Sequence, residues 1–231
     1  MTGIPPLKAR ARSVSIEVAA HLERLIATGE LAPGSRLPPE RELAASMAVS
    51  RTSLREAMHE LEAKNLIERR PGIGTMVSQP SDEQAQLASI SVEGFEADHV
   101  MELREVLEPR VAGYAALRAT PSNLLQLRSI VEQPIESLSS ERYIELDAEF
   151  HLLLSQSAQN PLFTTLGALS TEWSAGLRVG TQTTQTSRRK SAEEHRAIYH
   201  AVAAHDRAAA EEAMRTHLEA VRSRVRASGK H

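Results

Sequence analysis

The sequence predicts a mainly α protein in two domains. The first, residues 1–79, combines three helices with a small β-hairpin, and the second, residues 80–231, is an all-α bundle. Three observations lead there. Apolar residues recur at helical spacing through most of the chain. Strand-like segments occur only around a Pro-Gly turn at 71–72, and none appears beyond residue 80. The polar, Pro-containing stretch SQPSDEQAQ, 78–86, divides the two patterns and reads as a linker.

Composition agrees. Of 231 residues 41% are hydrophobic and only 3% aromatic, so Leu and Ala carry the core, which favours helices. The chain has no Cys, which excludes disulfides, thiolate metal sites and thiol nucleophiles. No apolar run is long enough to span a membrane, and the N-terminus lacks the hydrophobic segment of a secretory signal, so a cytoplasmic protein with no membrane partner is expected. Residues 1–80 hold 11 Lys/Arg against 9 Asp/Glu, and residues 81–231 hold 16 against 21. The first domain is thus only mildly basic, and any case for nucleic acid rests on where its arginines stand.

The elements follow in order. A first helix spans 13–28, with Ile16, Ala19, Ala20, Leu22, Leu25 and Ile26 on one stripe. Gly29 stops it, and Pro33-Gly34 turns the chain. A short helix over 39–46 leads through a tight turn into a second over 51–64, where Leu54, Met58 and Leu61 fall at i, i+4 and i+7 and point inward. Ser50 is a good N-cap for it, and Asn65 tolerates the left-handed conformation that closes it. Glu68-Arg69-Arg70 and Met76-Val77 flank the turn 71–75, giving a hairpin whose tip carries no bulky side chain. Beyond the linker, helices are expected at 98–119, 121–138, 140–158, 161–179, 188–204 and 206–227, and 84–97 leaves room for a short extra one. In the first of these Val100, Leu103, Val106, Leu107, Val111 and Tyr114 are the expected inward face.

Helix, turn, helix and glycine-tipped hairpin in this order make a winged helix-turn-helix. The exposed face of its second helix begins with Arg51 and Thr52 and continues with Arg55. Long cationic donors at the front of a helix suit the DNA major groove, while Ser50 and the helix N-terminus suit a phosphate. Taken one at a time, the arginines could equally be a solvated face; the complete order of elements favours double-stranded DNA as the partner.

The segments PGSRLPPEREL, VSRTSLREAMHELE and GIGTMV resemble the DNA-binding half of the GntR family of bacterial transcription regulators, over residues 13–78. That resemblance implies DNA contacts from Arg41, Arg51, Arg55 and Gly74, with Ser50, Thr52 and Ser53 touching phosphates or bases. Two positions depart from the family pattern. Pro39 replaces a Ser, removing an N-cap bond at a cost of about 1 kcal/mol. Ala48 replaces the usual turn Gly.

The second domain carries a different constellation. Asp147 and His151 lie four apart on one helix and share a face. His195 lies eleven residues before Asp206 and His217 eleven after it. In an antiparallel hairpin both then stand roughly 16 Å from the turn, at matched height. Three imidazoles and a carboxylate could converge on Zn²⁺, Ni²⁺, Mn²⁺ or Fe²⁺, one ion per chain, leaving room for a ligand oxygen. Any one of nine histidines is by itself more easily a surface or packed residue, so geometry alone leaves both readings open.

ELREVLEP, DAEFH followed by Asn160-Pro161, and EEHRAI through Met214 to His217-Leu218 are similar to the FCD domain, the all-α effector domain of the FadR branch of GntR regulators. The resemblance covers most of residues 98–220. It implies a divalent metal, Zn first among the candidates, on Asp147, His151, His195 and His217. It also implies a small carboxylate effector beside the metal, with Arg104 and Asn160 lining its pocket. Arg104 could instead pair with Glu108 at i+4, and Asn160 could simply end a helix. The remaining histidines match no ligand position.

The expected function is a ligand-responsive transcription regulator, a repressor acting as a homodimer on an inverted repeat, with a small organic acid as effector. The alternative is a metal-dependent hydrolase using the Asp/His₃ site. Against it, the chain has no HExxH and no obvious free Glu beside the ligands.

Overall fold

The computed structural model describes residues 10–79, Gln86 and residues 96–227. The chain divides into two compact units, Met1–Ser81 and Asp82–His231. The further short helix considered for 84–97 falls almost wholly outside the described residues.

In the first unit α1 (Arg10–Ala27), α2 (Glu40–Ser46) and α3 (Arg51–Ala63) precede an antiparallel hairpin of β1 (Ile67–Arg70) and β2 (Gly74–Val77). The hairpin register pairs Ile67 with Val77 and Arg70 with Gly74. Ile67 and Val77 therefore point together into a core with Val18 and Leu22 of α1, Leu43 of α2, and Leu54, Met58 and Leu61 of α3. The chain before α2 adds a short third edge: Arg36 bridges Met76, and the Leu37 amide donates to the Thr75 carbonyl at 2.9 Å. Three helices plus this hairpin give the winged helix-turn-helix expected from the sequence.

The turns use the punctuation the sequence offers, with one strained exception. Asn65 closes α3 at φ 56°, where a short amide side chain is tolerated. Ala48 sits at φ 54° between α2 and α3. Two other non-glycine residues with positive φ, Gln159 and His205, have compensating bonds. Gln159 Nε2 donates to Asn123 Oδ1 at 3.0 Å, and His205 Nδ1 lies 2.8 Å from the Ala116 carbonyl. A methyl group offers no such bond. Replacing Ala48 by Gly is therefore expected to stabilise the protein by about 0.5–1 kcal/mol, the relief of left-handed strain less the entropy of glycine. Thermal unfolding checks this; a lower midpoint would refute it.

The second unit is all helical among the described residues: α4 (Ala97–Arg118), α5 (Pro121–Val131), a 3-10 turn (Ile135–Ser137), α6 (Ser140–Ser157), α7 (Pro161–Trp173), α8 (Ala175–Thr181), α9 (Gln185–Ala203) and α10 (Arg207–Ala227). Its main core joins Ala112, Ala115 and Ala116 of α4, Leu127 of α5, Phe150 and Leu154 of α6, Ile198 and Val202 of α9, and Met214 and Leu218 of α10. No described helix is long and apolar enough to cross a membrane.

Three local expectations are corrected. The α4 face expected to point inward is in part the outer one: Val106 is 76% exposed and Leu103 36%. The buried face instead carries Met101, Arg104, Glu108, Val111, Ala112 and Ala115. The helix expected over 121–138 ends at Val131 and resumes only as the 3-10 turn, because Pro134 has no amide to donate. The helix expected over 161–179 breaks at Ser174, between α7 and α8. There the Ser174 hydroxyl donates back to the Ser170 carbonyl, a bond that bends helices, and the Arg178 guanidinium takes the Thr171 carbonyl.

Candidate DNA-contacting surface and metal centre

In the first unit, α3 presents Arg51, Thr52 and Arg55 to solvent, over a buried face of Leu54, Ala57, Met58 and Leu61. Ser50 caps the helix: its Oγ accepts the Ser53 amide at 3.0 Å and lies 2.9 Å from the Ser53 hydroxyl. Ser53 is buried, so its side chain serves the cap and does not lie on the outer face. Arg41 is exposed on the first turn of α2, whose N-cap Pro39 makes no side-chain bond. Glu40 holds Arg55 at 3.4 Å and Arg69 at 3.6 Å. Neither Arg41 nor Arg51 has an acidic partner among the described residues. At the hairpin tip Gly72 and Gly74 adopt φ 76° and 112°, conformations that suit glycine. The tip is not free of bulk, since Ile73 is 48% exposed between them.

In the second unit, α6 supplies Asp147 and His151, α9 supplies His195 and α10 supplies His217. The fold brings these four together. One ring nitrogen from each of the three histidines lies within 4.8 Å of the other two, and all three residues are buried. Asp147 Oδ1 is 3.6 Å from His195 Nε2, and Oδ2 is 4.0 Å from His151 Nε2. The Nε2 atoms of His151, His195 and His217 are buried without a hydrogen-bond partner. Three unpartnered nitrogens aimed at one point, with a carboxylate beside them, fit a divalent ion of the Zn²⁺ to Mn²⁺ class.

The surroundings prepare these nitrogens as ligands. Glu194 Oε2 lies 2.8 Å from His217 Nδ1, and Arg224 holds Glu194 through two bonds of 3.0 and 2.9 Å. Glu108 Oε2 lies 3.1 Å from His151 Nδ1. At His217 the carboxylate hydrogen bond on Nδ1 fixes the tautomer that leaves the Nε2 lone pair facing inward. Burial lowers the pKa of His151 and takes that of His195 well below the ordinary value, so both are neutral and able to coordinate near pH 7.

Burial pushes Glu108 upward, but Arg104 and then His151 outweigh it and hold the carboxylate well below its usual range. Arg104 is itself buried and grips Glu108 at 2.7 and 3.3 Å. The i+4 pair envisaged for it exists, but in the interior. Asn160 is the N-cap of α7, its Oδ1 accepting the Leu162 amide at 3.0 Å.

Sequence reasoning missed Arg178. Its guanidinium, 4% exposed, donates to Asp147 Oδ2 at 2.6 Å. Burial pulls Asp147 upward, and His195 and Arg178 more than reverse it. Nothing in the segment GLRVG distinguishes this arginine from a surface one. Glu108 and Glu194 were missed as imidazole partners for the same reason, being charged residues at ordinary helical positions.

Comparison with known proteins places both units. Residues 99–220 match the model of the FCD domain, and residues 15–77 match that of bacterial regulatory proteins of the gntR family. The HTH-type transcriptional repressor NanR of Klebsiella aerogenes is 32% identical over 228 residues, covering 95% of this chain and 88% of that protein. The Uxu operon transcriptional regulator of Escherichia coli K12 is 32% identical over 222 residues, covering 90% and 85%. A solved structure, Streptococcus agalactiae GntR, aligns over 90% of this chain and 99% of that one, with TM-score 0.50 and 31% identity.

Proposed function

We propose, for a chain that belongs to the gntR family of bacterial regulatory proteins and carries an FCD domain, that it is a metal-dependent, ligand-responsive transcription repressor. One observation carries the sensing part of this reading: three buried, unpartnered imidazole nitrogens converge beside Asp147 in the unit that follows the DNA-binding one. The relatives named above are regulators, one of them a repressor, which supports regulation over hydrolysis. A homodimer would set two α3 helices about one DNA turn apart on an inverted repeat.

Arg51, Thr52 and Arg55 would enter the major groove, Arg41 and Ser50 would hold phosphates, and Gly74 would bring the hairpin backbone close to the minor groove. Arg51→Ala and Arg55→Ala are each expected to weaken specific binding by about 1–3 kcal/mol, the worth of a bidentate base contact. Thermal midpoints should hardly move, since both side chains are exposed. Mobility shifts at fixed salt measure this, and wild-type affinity in both variants would sink the groove assignment.

Asp147, His151, His195 and His217 would hold one divalent ion, which supplies a Lewis-acidic point with open positions for oxygen donors. The charge around it favours an anion. Arg104 with Glu108, Arg178 with Asp147 and Arg224 with Glu194 are three compensated pairs, so a divalent ion adds two uncompensated positive charges. Of the two roles open to Arg104, the structure shows the pair with Glu108. A small carboxylate or sugar acid is the expected effector, and it would act by binding one arrangement of the protein better than another. In a thermal-shift screen on metal-loaded protein such acids should give hits that vanish after chelation. At a hundredfold excess over Kd the stabilisation is about 2.7 kcal/mol. Hits confined to neutral molecules, or unaffected by chelation, would refute the metal-anchored carboxylate.

A further inference from the structure

The geometry points to Arg36 as a side chain that reads the DNA minor groove beside the hairpin and sets a preference for A·T pairs flanking each half-site. This rests on the reading of α3 and the hairpin as the DNA interface, and extends it to a residue outside the helix-turn-helix.

Arg36 is placed by main-chain bonds. The Val77 amide donates to the Ser35 carbonyl and the Leu37 amide to the Thr75 carbonyl, both at 2.9 Å, so residues 35–37 run as an edge along β2. Leu37 points into the core, and by strand alternation its neighbour Arg36 points the other way. Its guanidinium then lies across the bare face of Gly74: Nε and Nη2 come within 3.1 and 3.3 Å of where a Cβ on that glycine would stand. The absent side chain at Gly74, at φ 112°, is what admits the arginine.

Among the described residues the charge of Arg36 is uncompensated. Arg69 is shared between Glu40 and Glu62, and Arg70 pairs with Glu68. Arg36 has no carboxylate or other hydrogen-bond partner among the described residues. Among the described residues, then, a permanently charged, planar donor without a partner rides beside Gly74 at the tip of the hairpin. A hairpin that approaches a minor groove through Gly74 carries that donor with it. Minor-groove edges offer only acceptors at A·T pairs, while a G·C pair adds the guanine N2 amino donor. A·T tracts also narrow the groove and deepen its negative potential, which attracts arginine.

The test uses full-length protein and duplexes selected by the wild type from a randomised pool. The selected half-sites are rebuilt with flanks of A·T, G·C or inosine·C, the last lacking the N2 amino group. Wild type is expected to bind A·T and inosine·C flanks about five- to tenfold more tightly than G·C flanks. Arg36→Ala should bring the three to one affinity, and Arg36→Lys should restore only part of the preference. Arg51→Ala should weaken all three while keeping their ratio. An equal loss on every flank in Arg36→Ala, with a shallower salt dependence, would make Arg36 a phosphate contact and overturn the proposal. So would wild-type behaviour of Arg36→Ala, or a wild type indifferent to its flanks. Failure of the wild type to select any sequence would instead overturn the DNA-binding reading itself.

Discussion

Asp147→Ala is expected to destabilise the metal-free protein by about 3–5 kcal/mol, the cost of leaving one member of a buried ion pair without the other. Asp147 and Arg178 are each 4% exposed and their charged atoms are 2.6 Å apart. Truncating the carboxylate leaves a guanidinium whose remaining bond in the structure is to the Thr171 carbonyl. Arg178→Ala is expected to cost a similar amount, because Asp147 then loses the guanidinium that compensates its buried charge. The double variant should cost much less than the two single ones together, since it removes both charges. Denaturant unfolding in the presence of a chelator measures all three. Strict additivity, or a loss below about 1 kcal/mol in Asp147→Ala, would show that the pair does not hold the bundle.

The second large effect is on metal content. Wild type is expected to carry close to one equivalent of divalent ion, and His195→Ala combined with His217→Ala almost none. These two residues bring the last two helices to the site, with ring centroids 4.8 Å apart. Losing both leaves His151 and Asp147, from α6 alone, too few donors for a closed site. The ion should also stop raising the melting temperature. For wild type at a thousandfold excess over Kd that rise corresponds to about 4.1 kcal/mol. Elemental analysis and thermal unfolding with and without chelator give the two readouts. Unchanged metal content in the double variant would remove these residues from the ligand set. Retained helical circular dichroism would show that the loss is local.

The parts of the molecule that could be read from sequence are those specified by local chemistry. Ser50 before α3 and Asn65 after it mark a helix whatever lies around it, and the i, i+4, i+7 row of Leu54, Met58 and Leu61 has a single buried face. Helical pitch put Asp147 and His151 on one face of α6, and the symmetry of the α9–α10 hairpin about Asp206 put His195 and His217 at one height, while the meeting of the two pairs was implied by the family resemblance. What could not be read depends on partners distant in the chain. The α4 helix has apolar residues on two sides, and its packed side includes the small residues Ala112, Gly113, Ala115 and Ala116, so the larger Leu103 and Val106 pointed to the wrong face. Arg104 and Glu108 have the spacing of a solvated surface pair. Arg178 lies on α8, beyond the break at Ser174 that the sequence did not signal. Charged residues turned inward leave no apolar period to read, whether the counter-charge lies one turn away, as for Arg104, or on another helix, as for Arg178.

The placement of the four candidate ligands also sets the order of events during synthesis. Asp147 and His151 leave the ribosome early, but His217 follows His151 by 66 positions, on the last described helix. At about 5–20 residues per second, several seconds separate the first donors from the last. α4 waits as well, because Val100 and Met101 pack with Val221 and Val225 of that same final helix. A nascent chain halted before α10 thus offers an ion two sets of ligands instead of three, and a ribosome-stalled truncation ending near Asp206 should retain none after gel filtration. Loading of the proposed ion would then belong to the finished polypeptide, and an ion supplied after release should suffice to fill the site.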